Sequence, residues 1–291
     1  MISSNPSISS HSRTDTWLRS VLILAALVAG GILLLIVLFL LHESWPVLQR
    51  VGVVRFFNDP GWHPLEGMFN LTPMLAATAA ASAGAILVAG PLGVASAVFS
   101  RFYAPPFLAA LFRRMVALLA GIPSVVFGLW GLTVLVPRIA EWQPPGASLL
   151  AGVLILALMV LPTVALTADA ALAAVPEAYL RGAAALGLTR SGTLLKVLIP
   201  AARSGIIGGM LLAAARALGE TMAVLMVAGN VVQVPTGLFD PVRTLTANIA
   251  LEMAYATGDH RAALFVSGLT LLVLVIGLAG MASRLRARLH G

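Results

Sequence analysis

Two ionisable residues stand four apart in an otherwise uncharged apolar run. They are Arg216 and Glu220, within Gly208-Gly209-Met210-Leu211-Leu212-Ala213-Ala214-Ala215-Arg216-Ala217-Leu218-Gly219-Glu220-Thr221-Met222. Counted from Ser204, Arg216 falls roughly 18 Å along a helix rising 1.5 Å per residue, near the middle of a bilayer. A charge at that depth costs on the order of 2.5–3.5 kcal/mol. Spacing of i, i+4 puts both groups on one helix face, where each partly neutralises the other; Arg before Glu is the weaker order. The chemistry on offer is recognition of an anion crossing the membrane. The guanidinium meets the anion, and Glu220 holds the guanidinium and balances it when the site is empty. The structural alternative is a buried ion pair that fixes helix packing. One guanidinium does not neutralise a doubly charged anion, so a second cation must come from another subunit.

The elements that must position this pair are membrane helices. Of 291 residues, 59% are hydrophobic and 10% charged, and mean hydropathy is +0.99. Soluble domains carry about a quarter charged residues, so the composition excludes a soluble globular protein, a disordered chain and a disulfide scaffold. It indicates an all-α polytopic membrane protein. Six spans are expected, near 18–41, 72–99, 115–137, 148–168, 204–229 and 262–283. The first is too long for a signal-peptide core and no small-residue cleavage site follows it, so it is expected to stay uncleaved. Pro91, Pro123 and Pro162 fall inside the second, third and fourth spans, where they are expected to kink helices packed on neighbours. Residues 1–16, polar and serine-rich, read as a mobile cytoplasmic tail; 17–291 read as one transmembrane permease domain.

Charge orients the bundle. The N-terminal tail taken through Arg19, 100–114, 169–203 and 284–291 together carry twelve basic and three acidic residues; the opposite connections carry five basic and seven acidic. The positive-inside rule then places both termini in the cytoplasm. The net charge of +7 and pI near 11.2 are thus a topology signal, and no nucleic-acid partner is expected. Two outward stretches, 42–71 and 230–261, contain Trp45, Trp62, Phe239 and Tyr255. These aromatics fit an interfacial belt or a docking surface for an external partner.

The cytoplasmic stretch 169–203 is expected to form a helix–turn–helix. Pro176 suits the first turn of a helix, Glu177 favours its N-terminal dipole, and Tyr179, Ala183 and Leu186 recur at amphipathic spacing. Gly187 allows the turn. A second helix over about 190–198 should end before Pro200. Such a pair can seat a rigid knob in a partner's groove, or simply lie on the membrane surface. A further pattern is the small-residue stripe Gly205, Gly209, Ala213, Ala217 and Thr221. Small stripes permit close helix approach, either within the chain or at a subunit interface lining the path.

Several chemistries are absent. With no cysteine, disulfides, thiolate metal sites and cysteine catalysis are excluded, and no metal site is expected. The one lysine, Lys196, follows Leu195, so there is no Walker A Gly-Lys-Ser/Thr; if ATP drives the protein, another subunit binds it. His42-Glu43 lacks the second histidine of a zinc-protease helix, because Pro46 stands there. An enzyme is not expected. A secondary transporter is the rival class; it would bring repeats and broken helices, and would leave the cytoplasmic loop without a use.

Two segments resemble those of binding-protein-dependent ABC importer permeases. In the cytoplasmic loop, Gly187 and Pro200 stand in the register of that family's EAA loop, with Val197 and Ile199 at its aliphatic positions. The opening triplet is Arg181-Gly182-Ala183, without the leading acid, and Glu177 one turn upstream is a candidate substitute. The second segment is Arg216-Ala217-Leu218-Gly219-Glu220-Thr221-Met222-Ala223-Val224, ending Ala228-Gly229-Asn230. With Ala120-Gly121-Ile122-Pro123-Ser124-Val125-Val126-Phe127-Gly128-Leu129-Trp130-Gly131 it is similar to the C-type permease subunit of phosphate-specific importers. The resemblance runs from about residue 72 to the C-terminus. It implies a type I importer fold in the bacterial inner membrane, paired with a homologous second permease. Two ATPase subunits holding ATP–Mg would grip Glu177, Arg181, Ala183, Gly187 and Pro200, and this chain would hold no cofactor. It further implies a phosphate-binding protein outside and phosphate passage at Arg216 and Glu220, with Thr221 adjoining. Sulfate, molybdate and phosphonate are the alternative cargoes.

Overall fold

The computed structural model describes residues 12–290. Five helices are long and apolar enough to cross a membrane, and six if one sharply bent pair counts as a single span. The first, α1 (Ser12–Val51), is 40 residues long, well beyond the expected 18–41. Of the expected tail, residues 1–11 lie outside the described residues, and the rest opens α1. None of the most apolar window of α1 is buried in the chain. The helix leans on α13 instead, where Phe39 meets Phe265 edge-on at 5.6 Å.

Outside the membrane, the chain builds a small cap instead of an open loop. It comprises α2 (Arg55–Asn58) and an antiparallel pair, β1 (Trp62–His63) and β2 (Met68–Phe69), with Trp62 opposite Phe69. Phe56, Trp62, Phe69, Leu71 and Met74 bury themselves against Leu245 and Leu264. Asp59 clamps the turn: its carboxylate accepts from the Phe69 N–H at 2.9 Å and from Arg55 at 3.0 Å. Of the four outward aromatics, Trp62 is therefore core, while Trp45, Phe239 and Tyr255 stay exposed.

Two helices form the spine: α3 (Thr72–Val98) and, further along, α7 (Leu149–Ala173). Ala77, Ala81, Ala85 and Ala89 recur every fourth residue on α3 and are all but fully buried in one core with Ile155, Val160 and Val164 of α7. Small side chains on one helix let the branched ones of its partner approach closely. Pro91 and Pro162 sit within these helices as expected. Between them the sequence reading needs correction. Residues 115–137 are not one helix. An amphipathic α4 (Pro106–Ala120) ends at Gly121, and α5 (Ser124–Trp130), a π turn over 131–135 and α6 (Val136–Ala140) follow at 93° to it. Pro123 is the residue preceding α5 and not an interior kink. Its fixed extended conformation, with that of residue 122 restricted too, ends one helix and starts the next. Arg101, 2.8 Å from Asp169, ties the turn after α3 to the end of α7.

The connection after α7 holds α8 (Glu177–Ala185) and α9 (Arg190–Thr193), the latter running through a π turn into α10 (Ile199–Leu218). Then come α11 (Met222–Val227), α12 (Leu245–Glu252) and α13 (Gly258–His290).

Candidate translocation site and coupling loop

The site is set by how α10 divides its faces. One face carries Gly205, Gly209, Ala213 and Ala217 toward α7. A Cβ on Gly209 would collide with the Thr167 side chain, and one on Gly205 with Ala171. Ala213 and Ala217 join the core with Val160 and Val164. Four of the five residues of the small stripe therefore pack within the chain, while Thr221 lies beyond the end of α10. Leu212 and Arg216 lie on the face turned away, and both are exposed.

The expected Arg216–Glu220 pair does not form among the described residues. Its premise, one continuous helix over 204–229, fails at Gly219. There α10 stops, and α11 begins at Met222 after a break at Gly219-Glu220-Thr221. Four residues apart means one face only within a single helix. The Glu220 carboxylate instead accepts the Ala223 N–H at 3.2 Å, capping α11. Its main-chain carbonyl accepts the Thr246 hydroxyl at 2.8 Å. Thr221 turns its hydroxyl to the Gly219 carbonyl at 3.3 Å. Arg216 makes no ion pair or hydrogen bond among the described residues. What the chain presents is an unpaired guanidinium on an open face, one turn before a helix break.

Sequence reasoning missed the groups that hold this break. After α11, Asn230 takes φ 57, and its N–H donates to the Val242 carbonyl at 3.0 Å. Arg243 donates to the Asn230 carbonyl at 2.9 Å and to Glu252 at 2.7 Å. Glu252 also accepts from Trp62 Nε1 and bonds His260 Nε2, each at 2.8 Å. Glu252 and His260 are buried, yet they lie in a stretch read as an outward loop, where charged residues pass as solvated. A carboxylate close to helix α13 in sequence was the one signal available.

The loop over 169–203 closes as a helical knob. Pro176, extended at φ −59, leads into α8. At its other end the Leu188 N–H reaches the Ala183 carbonyl and the Gly187 N–H that of Ala184. This is the Schellman arrangement, with Gly187 at φ 69 in the left-handed position it requires. Thr189 then caps α9, accepting from the Gly192 N–H at 3.2 Å. Two expectations are corrected. Tyr179, Ala183 and Leu186 do not share a buried face. Ala183 is buried at 4% exposure, but Leu186, already in the turn, is 81% exposed. The second helix also does not end before Pro200. It runs unbroken to Leu218, because the π turn over 194–198 pairs the Ile199 N–H with the Leu194 carbonyl. That wider turn gives room for a proline, which lacks an N–H and crowds the carbonyl four residues back. Glu177 and Arg181 form an exposed pair at 3.9 Å, worth little in water. Behind the knob, Tyr179, Lys196, Val197 and Pro200 line a cleft of about 500 Å³.

A bundle of apolar spans with an exposed arginine on one face and a helical knob at one end is an architecture shared with ABC importer permeases. The chain superposes on the permease of a bacterial alginate ABC transporter, crystallised with an alginate-bound periplasmic protein, with a TM-score of 0.66 over 94% of this chain and 96% of that one at 14% identity. It superposes on the inward-facing MetNI methionine ABC transporter with a TM-score of 0.57 over 75% and 94%, at 19% identity. The chain belongs to the family of binding-protein-dependent transport system inner membrane components, which its sequence matches over residues 89–291. It is a multi-pass inner membrane permease subunit that works with other ABC subunits and not an ATPase. Among its relatives are the probable ABC transporter permease protein YqgH of Bacillus subtilis, 38% identical over 78% of this chain and 76% of that one. The phosphate transport system permease protein PstC of Mesorhizobium japonicum is 34% identical over 93% and 88%.

Proposed function

We propose that the chain is one of two permease halves of an ATP-driven importer that moves inorganic phosphate into the cytoplasm. The observation that carries the reading is the exposed, unpaired Arg216 beside the break at Gly219-Glu220-Thr221, in a chain similar over nine-tenths of its length to a phosphate transport permease. A guanidinium left unpaired by its own chain inside a membrane invites an anion or a partner from another chain. Arg216 takes one charge of the passing anion, a cation of the second permease takes the other, and Glu220 and Thr221 shape the path at the break. A phosphate-binding protein delivers the anion from outside. The knob of α8 and α9, with Glu177, Arg181, Ala183, Gly187 and Pro200, engages an ATPase subunit, and the exposed Leu186 offers it an apolar anchor. Both termini lie in the cytoplasm, the side rich in arginine.

The test is ATP hydrolysis by the reconstituted complex of both permeases, the ATPase and the binding protein, titrated with phosphate, sulfate and molybdate. Stimulation by phosphate alone is expected. Stimulation by a different oxyanion keeps the importer and discards phosphate. A complex that moves phosphate without nucleotide would be a secondary transporter.

A further inference from the structure

The buried Glu252 is the one carboxylate among the described residues bonded to three separate parts of the outer half. Trp62 belongs to the external β-hairpin, Arg243 to the segment between α11 and α12, and His260 to the start of α13. The segment from Val242 to Thr246 in turn grips both ends of α11. Arg243 and Val242 hold the Asn230 side, and Thr246 holds Glu220 at the break. A short, continuous set of bonds thus runs from the hairpin outside to the helix break inside.

We infer that Glu252 is a positioning residue for transport, coupling the external hairpin to the break at Glu220. The inference rests on the importer reading, since a load on the hairpin must come from a docked binding protein. Three features favour coupling over plain packing. Each bond of Glu252 ends on a different element, so displacing the hairpin pulls directly on Arg243. The bond from Arg243 is charge-assisted, and with those of Trp62 and His260 it ties the three elements to one carboxylate. Beside Arg243, Asn248 Nδ2 and Asn230 Oδ1 are buried without partners. The first is a donor and the second an acceptor, while Arg243 bonds Asn248 Oδ1 and the Asn230 main-chain carbonyl. The unpartnered Asn230 Oδ1 is an acceptor on a residue that Arg243 already bonds; it offers the guanidinium, which only donates, a second arrangement, as a coupling element requires.

The experiment compares the complete reconstituted complex with its Trp62→Phe and Glu252→Gln variants. Trp62→Phe keeps the ring and removes one donor; Glu252→Gln keeps the shape and removes the charge. Basal ATP hydrolysis and assembly should be unchanged, and the binding-protein concentration giving half-maximal stimulation nearly so. The extent of stimulation by phosphate-loaded binding protein should fall at least fivefold. Because the chain has no cysteine, Thr221→Cys adds a readout independent of substrate. Its labelling rate by a maleimide should change severalfold when either hub variant is combined with it. Full stimulation and an unchanged labelling rate in assembled variants would overturn the inference. A wild-type complex that ignores phosphate-loaded binding protein refutes the phosphate reading instead, and labelling at position 221 then decides the coupling by itself. If Glu252→Gln fails to assemble, Trp62→Phe decides.

Discussion

Thr246 donates its hydroxyl to the carbonyl of Glu220, 26 residues earlier, at 2.8 Å. The bond joins the buried start of α12 to the place where α10 gives way to α11, and a carbonyl freed by a helix end needs such a donor. Thr246→Val, matched in shape, should lower the stability of the assembled complex by about 1–1.5 kcal/mol. Thr246→Ser should restore most of it. Thermal unfolding of the complex in detergent checks both.

Arg216 has no partner to lose among the described residues. Arg216→Gln should therefore assemble normally, with a stability change within about 0.5 kcal/mol. Uptake should fall by roughly thirtyfold or more, the effect of losing a charged hydrogen-bond partner worth at least 2 kcal/mol. Radiolabelled phosphate uptake into proteoliposomes, set against the amount of purified complex, separates the two. Wild-type uptake would remove Arg216 from the path.

Gly187 lies at φ 69 with open space around it. Only the backbone penalises a side chain there, by about 1–2 kcal/mol for a left-handed conformation. Gly187→Val should loosen the knob, weaken co-purification of the ATPase and uncouple hydrolysis from uptake. Gly187→Asn, which tolerates that conformation, should stay near wild type.

Gly209 poses the opposite problem, since its backbone is ordinary and its surroundings are full. Gly209→Val drives a side chain into Thr167 and should cost about 1–3 kcal/mol through overpacking, seen as poor assembly. Gly219→Ala, with its nearest neighbours 3.8 Å away, should assemble like wild type.

Asp59 couples the outer cap to acid. Burial pushes its carboxyl pKa up, but the Phe69 N–H and the Arg55 guanidinium outweigh burial and hold it below the usual carboxylate range. A folded-state pKa lower than the unfolded one stabilises the fold at all pH values above the unfolded value, about 3.9. That contribution is lost as pH falls through the lower folded value. Hydrogen exchange in β1 and β2 should rise below about pH 4, and Asp59→Asn should flatten that rise.

The membrane spans were legible because twenty apolar residues in a row have few other uses. Their breaks were less so. The helix end at Gly219 hides in Ala-Leu-Gly-Glu-Thr, where one glycine is a weak stop and neighbouring alanine and leucine favour helix. Reading through it joined Arg216 to Glu220 on one face, when tertiary bonds from Thr246 separate them. Pro123 was visible, but proline in membrane helices is often tolerated, and the 93° turn there depends on α4 lying apart from α5. The helix–turn–helix over 169–203 was legible down to the turn at Gly187, because a left-handed turn leaves a chemical mark in sequence. Its continuation through Pro200 was not, since a π turn has none. The Glu252 hub was beyond reach, as its partners are separated by up to 190 residues.

The first helix gives this permease an unusual kind of handle. Nothing in the most apolar window of α1 is buried by its own chain. A fluorophore or affinity label on the bare side of α1 can therefore report on the protein, or tether it to a surface, without disturbing the packing of its own chain.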